Sequence, residues 1–440
     1  MKMKKSALIG FSVAAALGAS AVQAADQYIG LPSYRVGPYA AGGTGIFGGM
    51  IDYFQLVNAR DGGINGVKLT WEECETEYNN ARGVECYERM KKNGPTGNTV
   101  FHPLSTGITY SVIDKATADK IPVISLGYGR TDASDGRVFP YIFPMLTNYW
   151  SQNTAKIKFI GMKEGGMDKL KGKKIVNIYH DSAYGKETIP VLDAQAKMYG
   201  FTVKHIPVAH PGNEQQSQWL QVRQEKPDWV ILRGWGVMNP TALKAAAKIG
   251  FPREKIVGVW WSGAEEDTIP AGAAAKGYIS AGFNVAGTNY PVIKDIQKHV
   301  VAKGKTNMED KSRIGSVYYN RGVVHGIITV EAIRKAQEKY GKGKSITGEQ
   351  MRWGIENLSI DAAMLKKLGA EGFMPALKMS CLNHEGSGLV KFQQWDGKQW
   401  KVITDWIESD QKLVRGMIEE SAAKYAKEKG ITPRDCSKES

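Results

Sequence analysis

The chain has 440 residues, of which 42% are hydrophobic and 10% aromatic, and its formal net charge is +14. This length and composition predict a globular protein of about two domains. The positive charge could suit nucleic acid, a membrane surface or an anionic ligand. Because no dense run of Lys and Arg is interleaved with aromatic residues, we interpret the charge as a solvated basic surface and expect no nucleic-acid partner.

The N-terminus has the pattern of a cleavable signal peptide covering residues 1–24. Residues 1–5 carry three lysines, residues 6–21 are apolar and small, and Val22 and Ala24 are small residues where a signal peptidase reads the chain. We predict cleavage after Ala24, with Ala25 as the alternative. The apolar stretch is shorter than the roughly 20 residues that a membrane span needs, so a membrane anchor is disfavoured. Loss of the three lysines leaves a mature chain of charge +11, which we expect in the periplasm.

Four cysteines, an even number in an oxidising compartment, permit two disulfides. Three pairings are possible. We favour Cys74 with Cys86, because the loop between them is short, and by elimination Cys381 with Cys436, which would hold the C-terminal segment to the body. A zinc site is disfavoured because no Cys-x-x-Cys occurs and the seven histidines are scattered.

Strand and helix patterns alternate through the first third of the chain. The apolar runs that predict buried strands are Gln27–Leu31, Val67–Trp71, Thr99–His102 and Pro122–Leu126. The helical patterns between them are Gly45–Arg60, Ala81–Lys92 and Thr106–Lys120. This alternation predicts a parallel sheet covered by helices on both faces.

The alternation begins again after a strand at Tyr141–Met145 and a helix near Tyr149–Met162. The second series consists of strand Lys174–Tyr179, helix Lys186–Tyr199, strand Val203–Val208, helix Ser217–Glu225, strand Trp229–Arg233, helix Pro240–Lys248 and strands Ile256–Trp260 and Gly277–Ala281. The last part predicts helices Val292–Lys303, Tyr318–Lys339 and Glu349–Asn357, then a hairpin of Gly388–Trp395 and Gln399–Ile403 turned at Asp396-Gly397. The predicted fold class is α/β, with two doubly wound parallel-sheet lobes in tandem.

A glycine pattern at residues 43–48 fits a dinucleotide-binding loop, with Glu72 or Glu73 at a tolerable distance beyond it. The preceding strand ends near Leu31, about a dozen residues too early for the tight turn that such a loop needs. We therefore favour a glycine-rich helix start. The sequence contains no Walker loop, nucleophile elbow or His-Glu-x-x-His helix, and His205 and His210 flank a strand without a third ligand nearby. We expect no enzyme and no cofactor.

Polar residues follow the strand Thr99–His102, where Ser105 and Thr106 begin a helix. Open α/β sheets bind ligands at the carboxyl ends of their strands. Unsatisfied N–H groups at a helix start, with two hydroxyls, would hold a carboxylate. Simple capping of the helix by Ser105 is the alternative interpretation.

Four segments together resemble one protein family. They are Val36-Gly37-Pro38-Tyr39, Asn58-Ala59-Arg60-Asp61-Gly62-Gly63-Ile64-Asn65-Gly66, Ser105-Thr106 and Asp181-Ser182-Ala183-Tyr184-Gly185. By the order and spacing of these four segments, the mature chain resembles the type I periplasmic binding proteins of the branched-chain amino acid (leucine-binding) group. The resemblance implies two lobes joined by a three-crossing hinge, a ligand that closes the cleft, and a closed form that docks on an ABC-transporter permease in the inner membrane.

The resemblance also implies the domain boundaries. Lobe one would comprise residues 25–147 and 281–352, and lobe two residues 148–280 and 353–407. Residues 408–440 would be a C-terminal tail. We expect a monomer.

Site residues follow from the same resemblance. In this family the position of Ser105 and Thr106 binds a carboxylate, the loop matching Ser125 to Tyr128 adds polar contacts, and the position of Tyr184 stacks on the ligand. Amino-acid binders of the family place an acid for the ligand's ammonium where Ser262 stands here. That departure argues against an α-amino acid, although Glu265 or Glu266 could replace the acid.

Aromatic and cationic residues add to this predicted cleft. The aromatic candidates are Tyr34, Tyr39, Tyr128, Tyr184, Trp235, Trp260 and Trp261. They would favour a planar or bulky apolar ligand, but one of the adjacent Trp260 and Trp261 should face the core, because neighbouring strand residues point to opposite sides. Arg35 and Arg130 could pair with a carboxylate, or they could be ordinary solvent-exposed arginines.

The predicted function is a soluble periplasmic receptor that captures a small hydrophobic or aromatic carboxylate for an ABC importer. A receptor for branched-chain or aromatic amino acids is the alternative within the class. From another class, a secreted dinucleotide-using enzyme is the distant alternative.

Overall fold

A computed structural model describes residues 26–439, so the predicted signal peptide lies outside the described residues. The strands are β1 (Gln27–Leu31), β2 (Leu69–Glu73), β3 (Val123–Ile124), β4 (Ile142–Phe143), β5 (Lys174–His180), β6 (Thr202–Val208), β7 (Trp229–Arg233), β8 (Ile256–Gly258), β9 (Ile279–Gly282), β10 (Ser359–Ile360), β11 (Leu377–Lys378), β12 (Leu389–Trp395), β13 (Trp400–Val402) and β14 (Ile407–Glu408). The helices are α1 (Ala40–Arg60), α2 (Asn80–Met90), α3 (Thr106–Asp119), α4 (Tyr149–Glu164), α5 (Ala183–Lys186), α6 (Ile189–Tyr199), α7 (Gln216–Glu225), α8 (Met238–Lys248), α9 (Glu265–Thr268), α10 (Pro291–His299), α11 (Val317–Tyr340), α12 (Gly348–Glu356), α13 (Ala362–Lys367) and α14 (Gln411–Lys429). None of the helices in this part of the chain has the length and hydropathy of a membrane span.

The first sheet is parallel. β1 pairs with β2 and β3 with β4, and Phe101 joins the two pairs through bridges to Gly30 and Val123. The predicted strand Thr99–His102 is thus reduced to one bridging residue. Just before it, the Asn98 side chain accepts from the Gly30 N–H at 2.9 Å, and the Thr99 N–H donates to the Tyr28 carbonyl at 3.4 Å.

The second sheet has a parallel centre and an antiparallel edge. The order β6-β5-β7-β8-β9 is parallel throughout. The predicted hairpin is confirmed as β12 and β13, which add antiparallel strands to the free side of β9, with β14 paired to β12. The predicted α/β fold class with two sheets in tandem is confirmed.

The glycine-rich segment at residues 43–48 lies inside α1, which begins five residues earlier than predicted. A side chain at Gly43 would collide with the carbonyl of Tyr34, and one at Gly49 with the carbonyl of Tyr319 on α11. Glycine is therefore needed here because α1 packs closely on its neighbours. The segment is a helix-packing surface and not a phosphate-binding turn.

Both predicted disulfides are present. Cys74–Cys86 closes a short loop, and Cys381–Cys436 connects positions 55 residues apart near the C-terminus. The segment expected as a tail contains the 19-residue helix α14. On α14, Tyr425 stacks on Phe139 at 4.7 Å, whereas the Val414 end packs in a cluster with Trp150.

We propose the division into lobe one (residues 26–147 and 281–352) and lobe two (residues 148–280 and 353–407), and use these names for the two groups of segments. With that division, lobe one contains the first sheet with α1 and α11. Lobe two contains the second sheet, except for the ends of β9 and β14, with α4, α6 and α8. Helix α14 contacts residues of both.

Candidate ligand-binding cleft

Residues from both lobes enclose a pocket, here named the inner pocket. Its lining residues are Tyr78, Leu104, Thr106, Tyr128, Tyr149, Tyr184, Trp235 and Trp261, six of which are aromatic. The free volume is only about 10 Å³, space for about one water molecule. The lobes are thus closed on each other, and a ligand larger than water enters only if they separate.

An outer pocket of about 320 Å³ adjoins the inner pocket and shares Tyr78 and Tyr184 with it. Its other lining residues are Asn79, Asn80, Ala81, Ser105, Gly107, Ser182, Ala183 and His210. Burial lowers the pKa of His210, which favours the neutral ring. The polar side chains that line the outer pocket are therefore uncharged.

Helix α3 points its first turn at both pockets. Ser105 caps the helix by accepting a hydrogen bond from the Ile108 N–H at 3.3 Å, so the capping interpretation is confirmed. Thr106 lines the inner pocket and Gly107 the outer one. Their N–H groups lie in the first turn, where no intrahelical acceptor exists, and therefore remain as donors for an anionic group.

Trp235, which follows β7, lies at the centre of the aromatic cluster. Its ring is parallel to that of Tyr39 at 6.2 Å and meets those of Trp261 and Tyr318 edge-on, each at 5.5 Å. The indole Nε1 is buried and has no hydrogen-bond partner among residues 26–439. A buried indole N–H usually has a partner, so this unpartnered donor is unusual for a residue that lines a pocket.

Tyr184 stands over a buried arginine. Its hydroxyl donates to the Gly234 carbonyl at 2.9 Å, and its own carbonyl accepts two hydrogen bonds from Arg233. The guanidinium lies 4.6 Å from the Tyr184 ring centroid and 3.9 Å from that of Tyr149. These cation–π contacts fix the two rings that form one wall of the inner pocket.

The two adjacent tryptophans lie in a 3-10 turn after β8 and not in the strand expected from the sequence, so strand alternation does not separate them. Trp261 lines the inner pocket, whereas Trp260 is fully buried against Phe283 at 5.0 Å. Both indole N–H groups donate to the Gly127 carbonyl, at 2.6 Å from Trp260 and 3.1 Å from Trp261. This carbonyl of lobe one therefore anchors the pair from lobe two.

Three of the other predicted residues lie around the pocket without lining it. The Tyr34 hydroxyl donates to the Leu104 carbonyl at 3.0 Å. Tyr39 is hydrogen-bonded to His180 Nε2 at 2.8 Å, which links the lobes, and burial lowers the pKa of His180 to about 4. Ser125 is fully buried, with its hydroxyl lacking a partner in the described chain.

Arg35 and Arg130 are held by neighbouring carboxylates. Arg35 pairs with Glu73 at 2.9 Å, and Arg130 pairs with Asp132 at 2.7 Å while its guanidinium lies over the Tyr425 ring. Neither arginine lines the inner or the outer pocket. The structure therefore does not place either arginine among the aromatic residues that line the two pockets.

Ser262 is turned into the packing of lobe two. Its hydroxyl donates to the Val259 carbonyl and accepts from the Tyr278 hydroxyl, both at 2.9 Å. It lines neither pocket. The position that would carry an ammonium-binding acid by resemblance thus lies outside the cleft lining.

Sequence reasoning missed Tyr78, Leu104, Tyr149 and Arg233. Tyr78 and Tyr149 each stand next to an N-capping asparagine, Asn79 and Asn148. A cap fixes where a helix begins, but it does not say that the helix start faces the other lobe. Only the closed arrangement of the lobes shows that these rings line a pocket.

Three consecutive acids of lobe two, here named the acidic latch, hold the start of α11. Glu265 accepts from the Val317 N–H at 2.9 Å, Glu266 pairs with Arg313, and Asp267 accepts from the Tyr318 hydroxyl at 2.8 Å. Burial raises the pKa of both Glu265 and Asp267 to about 7. Glu265 and Glu266 therefore bind lobe one and line neither pocket of the cleft.

The raised pKa of Glu265 makes its contribution to stability depend on pH. Between its ordinary pKa of 4.5 and about 7, folded Glu265 binds more protons than the unfolded group. Its contribution is therefore present below that range and is lost as pH rises, by up to ~1.4 kcal/mol per pH unit.

Urea unfolding of wild type and Glu265→Gln measures this effect. The stability advantage of wild type over Glu265→Gln, which is the difference between their free energies of unfolding, should fall between pH 5 and pH 7.5. The matched control is Glu349→Gln at an exposed site, where the substitution removes no buried carboxyl, and parallel wild-type and Glu265→Gln profiles would contradict the assignment.

Comparisons with known proteins agree with this geometry. A family model described as periplasmic binding protein matches residues 26–399. A crystal structure from the Pseudomonas fluorescens group, described as an ABC transporter permease, is 49% identical, covers 93% of this chain and 99% of its own, and superposes with a TM-score of 0.88. No curated protein sequence matches the chain.

Two more distant structures share the fold. A branched-chain amino acid ABC transporter protein from Thermus thermophilus with bound valine is 20% identical, covers 88% of this chain and 99% of its own, and has a TM-score of 0.73. A solute-binding protein from R. palustris in complex with benzoate is 17% identical, covers 88% and 98%, and has a TM-score of 0.67. At these identities the likeness extends to the fold alone.

Proposed function

Because the chain belongs to the periplasmic binding protein family, we propose that it captures a small carboxylate with an apolar or aromatic body in the cleft between its lobes. At the coarser level it is a substrate-binding protein of the ABC-transporter class, whose members bind solutes and are not enzymes. The permease of an importer would receive the ligand. Export through residues 1–24 would bring the protein to the periplasm.

The observation that carries this proposal is the chemistry of the cleft lining. Within the described residues, neither the inner nor the outer pocket is lined by an Asp, Glu, Lys or Arg side chain. The N–H groups of Thr106 and Gly107 and the indole Nε1 of Trp235 are all donors. A carboxylate accepts hydrogen bonds from such donors, whereas an ammonium group would meet no acid.

With the lobes apart, the residues that line the inner pocket would receive the other end of such a ligand. The aromatic rings of this pocket favour a flat or bulky apolar body, and each ring-to-ring contact is worth about 0.5–1.5 kcal/mol beyond the area that it buries. We propose Ser105, Thr106, Tyr128, Tyr184, Trp235 and Trp261 as ligand contacts. Tyr39 would hold the lobes together in the closed form through its hydrogen bond with His180.

The test is a thermal-shift screen of protein that has been unfolded and refolded to remove carried-over ligand. The panel contains benzoate, phenylacetate and 4-methylpentanoate, then valine, leucine and phenylalanine, and finally NAD. Binding to the folded state raises the melting temperature by mass action. A rise with the acids and none with the amino acids is expected, whereas a rise with valine, leucine or phenylalanine would overturn the carboxylate proposal in favour of an amino acid receptor.

A further inference from the structure

A cluster of buried polar groups in lobe two lies behind the Tyr149–Tyr184 wall of the inner pocket. Lys156 and Gln152 of α4 and Arg233 of β7 are all fully buried. Lys156 Nζ, Arg233 Nη1 and both amide atoms of Gln152 have no hydrogen-bond partner among residues 26–439. Such groups are rare in folded proteins, and an ion or water usually explains them.

The geometry of α4 and β7 brings these groups to one place. The Arg233 guanidinium lies 3.9 Å from the ring centroid of Tyr149 at the start of α4. At the other end of both elements, Trp229 Nε1 donates to Glu164 Oε1 at 2.8 Å. Helix and strand therefore run side by side. Gln152 and Lys156, one turn apart, fall on the same face of α4 as Tyr149.

The cluster is cationic and lacks an acid. Arg233 donates from Nε and Nη2 to the Tyr184 carbonyl, and neither Arg233 nor Lys156 is paired with a carboxylate in the described part of the chain. Burial and the Arg233 charge both lower the pKa of Lys156. Without a counter-charge, burial beside Arg233 disfavours the charged form of Lys156, and an anion between the two groups would favour that form again.

We propose that Lys156, Arg233 and Gln152 bind a small monovalent inorganic anion of the size of chloride. The Lys156 ammonium and the free Nη1 of Arg233 supply the charge, and the Gln152 amide nitrogen supplies a neutral donor. The site shares no lining residue with the inner or the outer pocket. It is therefore distinct from the ligand site and does not depend on which ligand the cleft takes.

The first experiment measures melting temperatures in sodium chloride and in sodium gluconate at equal ionic strength. An anion that binds only the folded state raises the melting temperature as its concentration rises. We expect chloride to raise the wild-type value by at least ~2 °C over gluconate, and Lys156→Met to lose this difference. Lys158→Met is the matched control, since Lys158 lies on the same helix with its Nζ on the Glu408 carbonyl at the surface, and it should keep the difference. An equal chloride effect in wild type and Lys156→Met would overturn the proposal.

A second measurement needs no variant. Crystals of the wild-type protein grown in sodium bromide should give an anomalous peak between Lys156 Nζ and Arg233 Nη1. Absence of that peak at a bromide concentration of ~0.2 M, or electron density there that fits only water, would show that the cluster is hydrated and holds no anion.

Discussion

Replacement of Trp235 with alanine should weaken binding of the acid that most stabilises the protein in the thermal-shift panel by about 100-fold, or ~2.7 kcal/mol. The ring contacts Tyr39, Trp261 and Tyr318, and its unpartnered indole N–H is available to the ligand. The alanine variant loses both the apolar area and the donor. Isothermal titration calorimetry of wild type and variant measures the change directly.

Two phenylalanine variants separate these contributions. Trp235→Phe keeps most of the ring area and removes only the N–H, so its affinity should fall by about tenfold, since a net hydrogen bond is worth roughly 0.5–1.5 kcal/mol. Trp353→Phe removes a similarly buried and unpartnered indole N–H on α12, outside the cleft, and should bind as wild type does. Wild-type affinity in both Trp235 variants would remove Trp235 from the proposed site.

Replacement of Arg321 with alanine should lower the free energy of unfolding by about 4 kcal/mol. Arg321 is fully buried on α11, donates to Asn284 Oδ1 at 3.0 Å and to the Trp260 carbonyl at 2.7 Å, and stacks against Trp261. Burial lowers the pKa of this guanidinium to about 10, so it stays charged at neutral pH. Its loss would leave two buried acceptors unpaired and a cavity where α11 meets the Trp260 loop.

The control for Arg321 is on the same helix. Lys335→Ala removes an exposed side chain that pairs with Glu338, and the free energy of unfolding should change by less than ~0.5 kcal/mol. Urea unfolding followed by tryptophan fluorescence measures both variants. A loss below ~1 kcal/mol for Arg321→Ala would mean that the site relaxes and water replaces the guanidinium.

The sequence predicted the regular parts of this fold, because strand and helix periodicity is a local property. The parallel centre of the second sheet and its hairpin follow from such signals, whereas the two disulfides follow from the short loop between Cys74 and Cys86 and from elimination. The strand predicted at Thr99–His102 is wrong in extent, because only Phe101 forms bridges there and an apolar run does not show how many of its residues pair. Helix α14 was not predicted, because residues 408–440 were expected only as a C-terminal tail.

Only some of the residues that line the cleft were predictable from the sequence. The first turn of α3, Trp235 and Trp261 were expected from their places after predicted strands, and Tyr184 from the family resemblance. Tyr149 comes from the start of a helix, and nothing in the sequence shows that this helix start lies against the other lobe. For Arg130, the acid two residues later, Asp132, was a local sign that the guanidinium was already paired.

The Cys381–Cys436 bond has a consequence for the covalent topology of the chain. It makes a closed ring of the segment between the two cysteines, and this ring contains α14. A protease that cuts one peptide bond inside the ring would release no fragment, because both new ends remain attached to a cysteine of the pair. A nicked molecule would therefore run as an intact chain on a denaturing gel until a reductant separates the pieces.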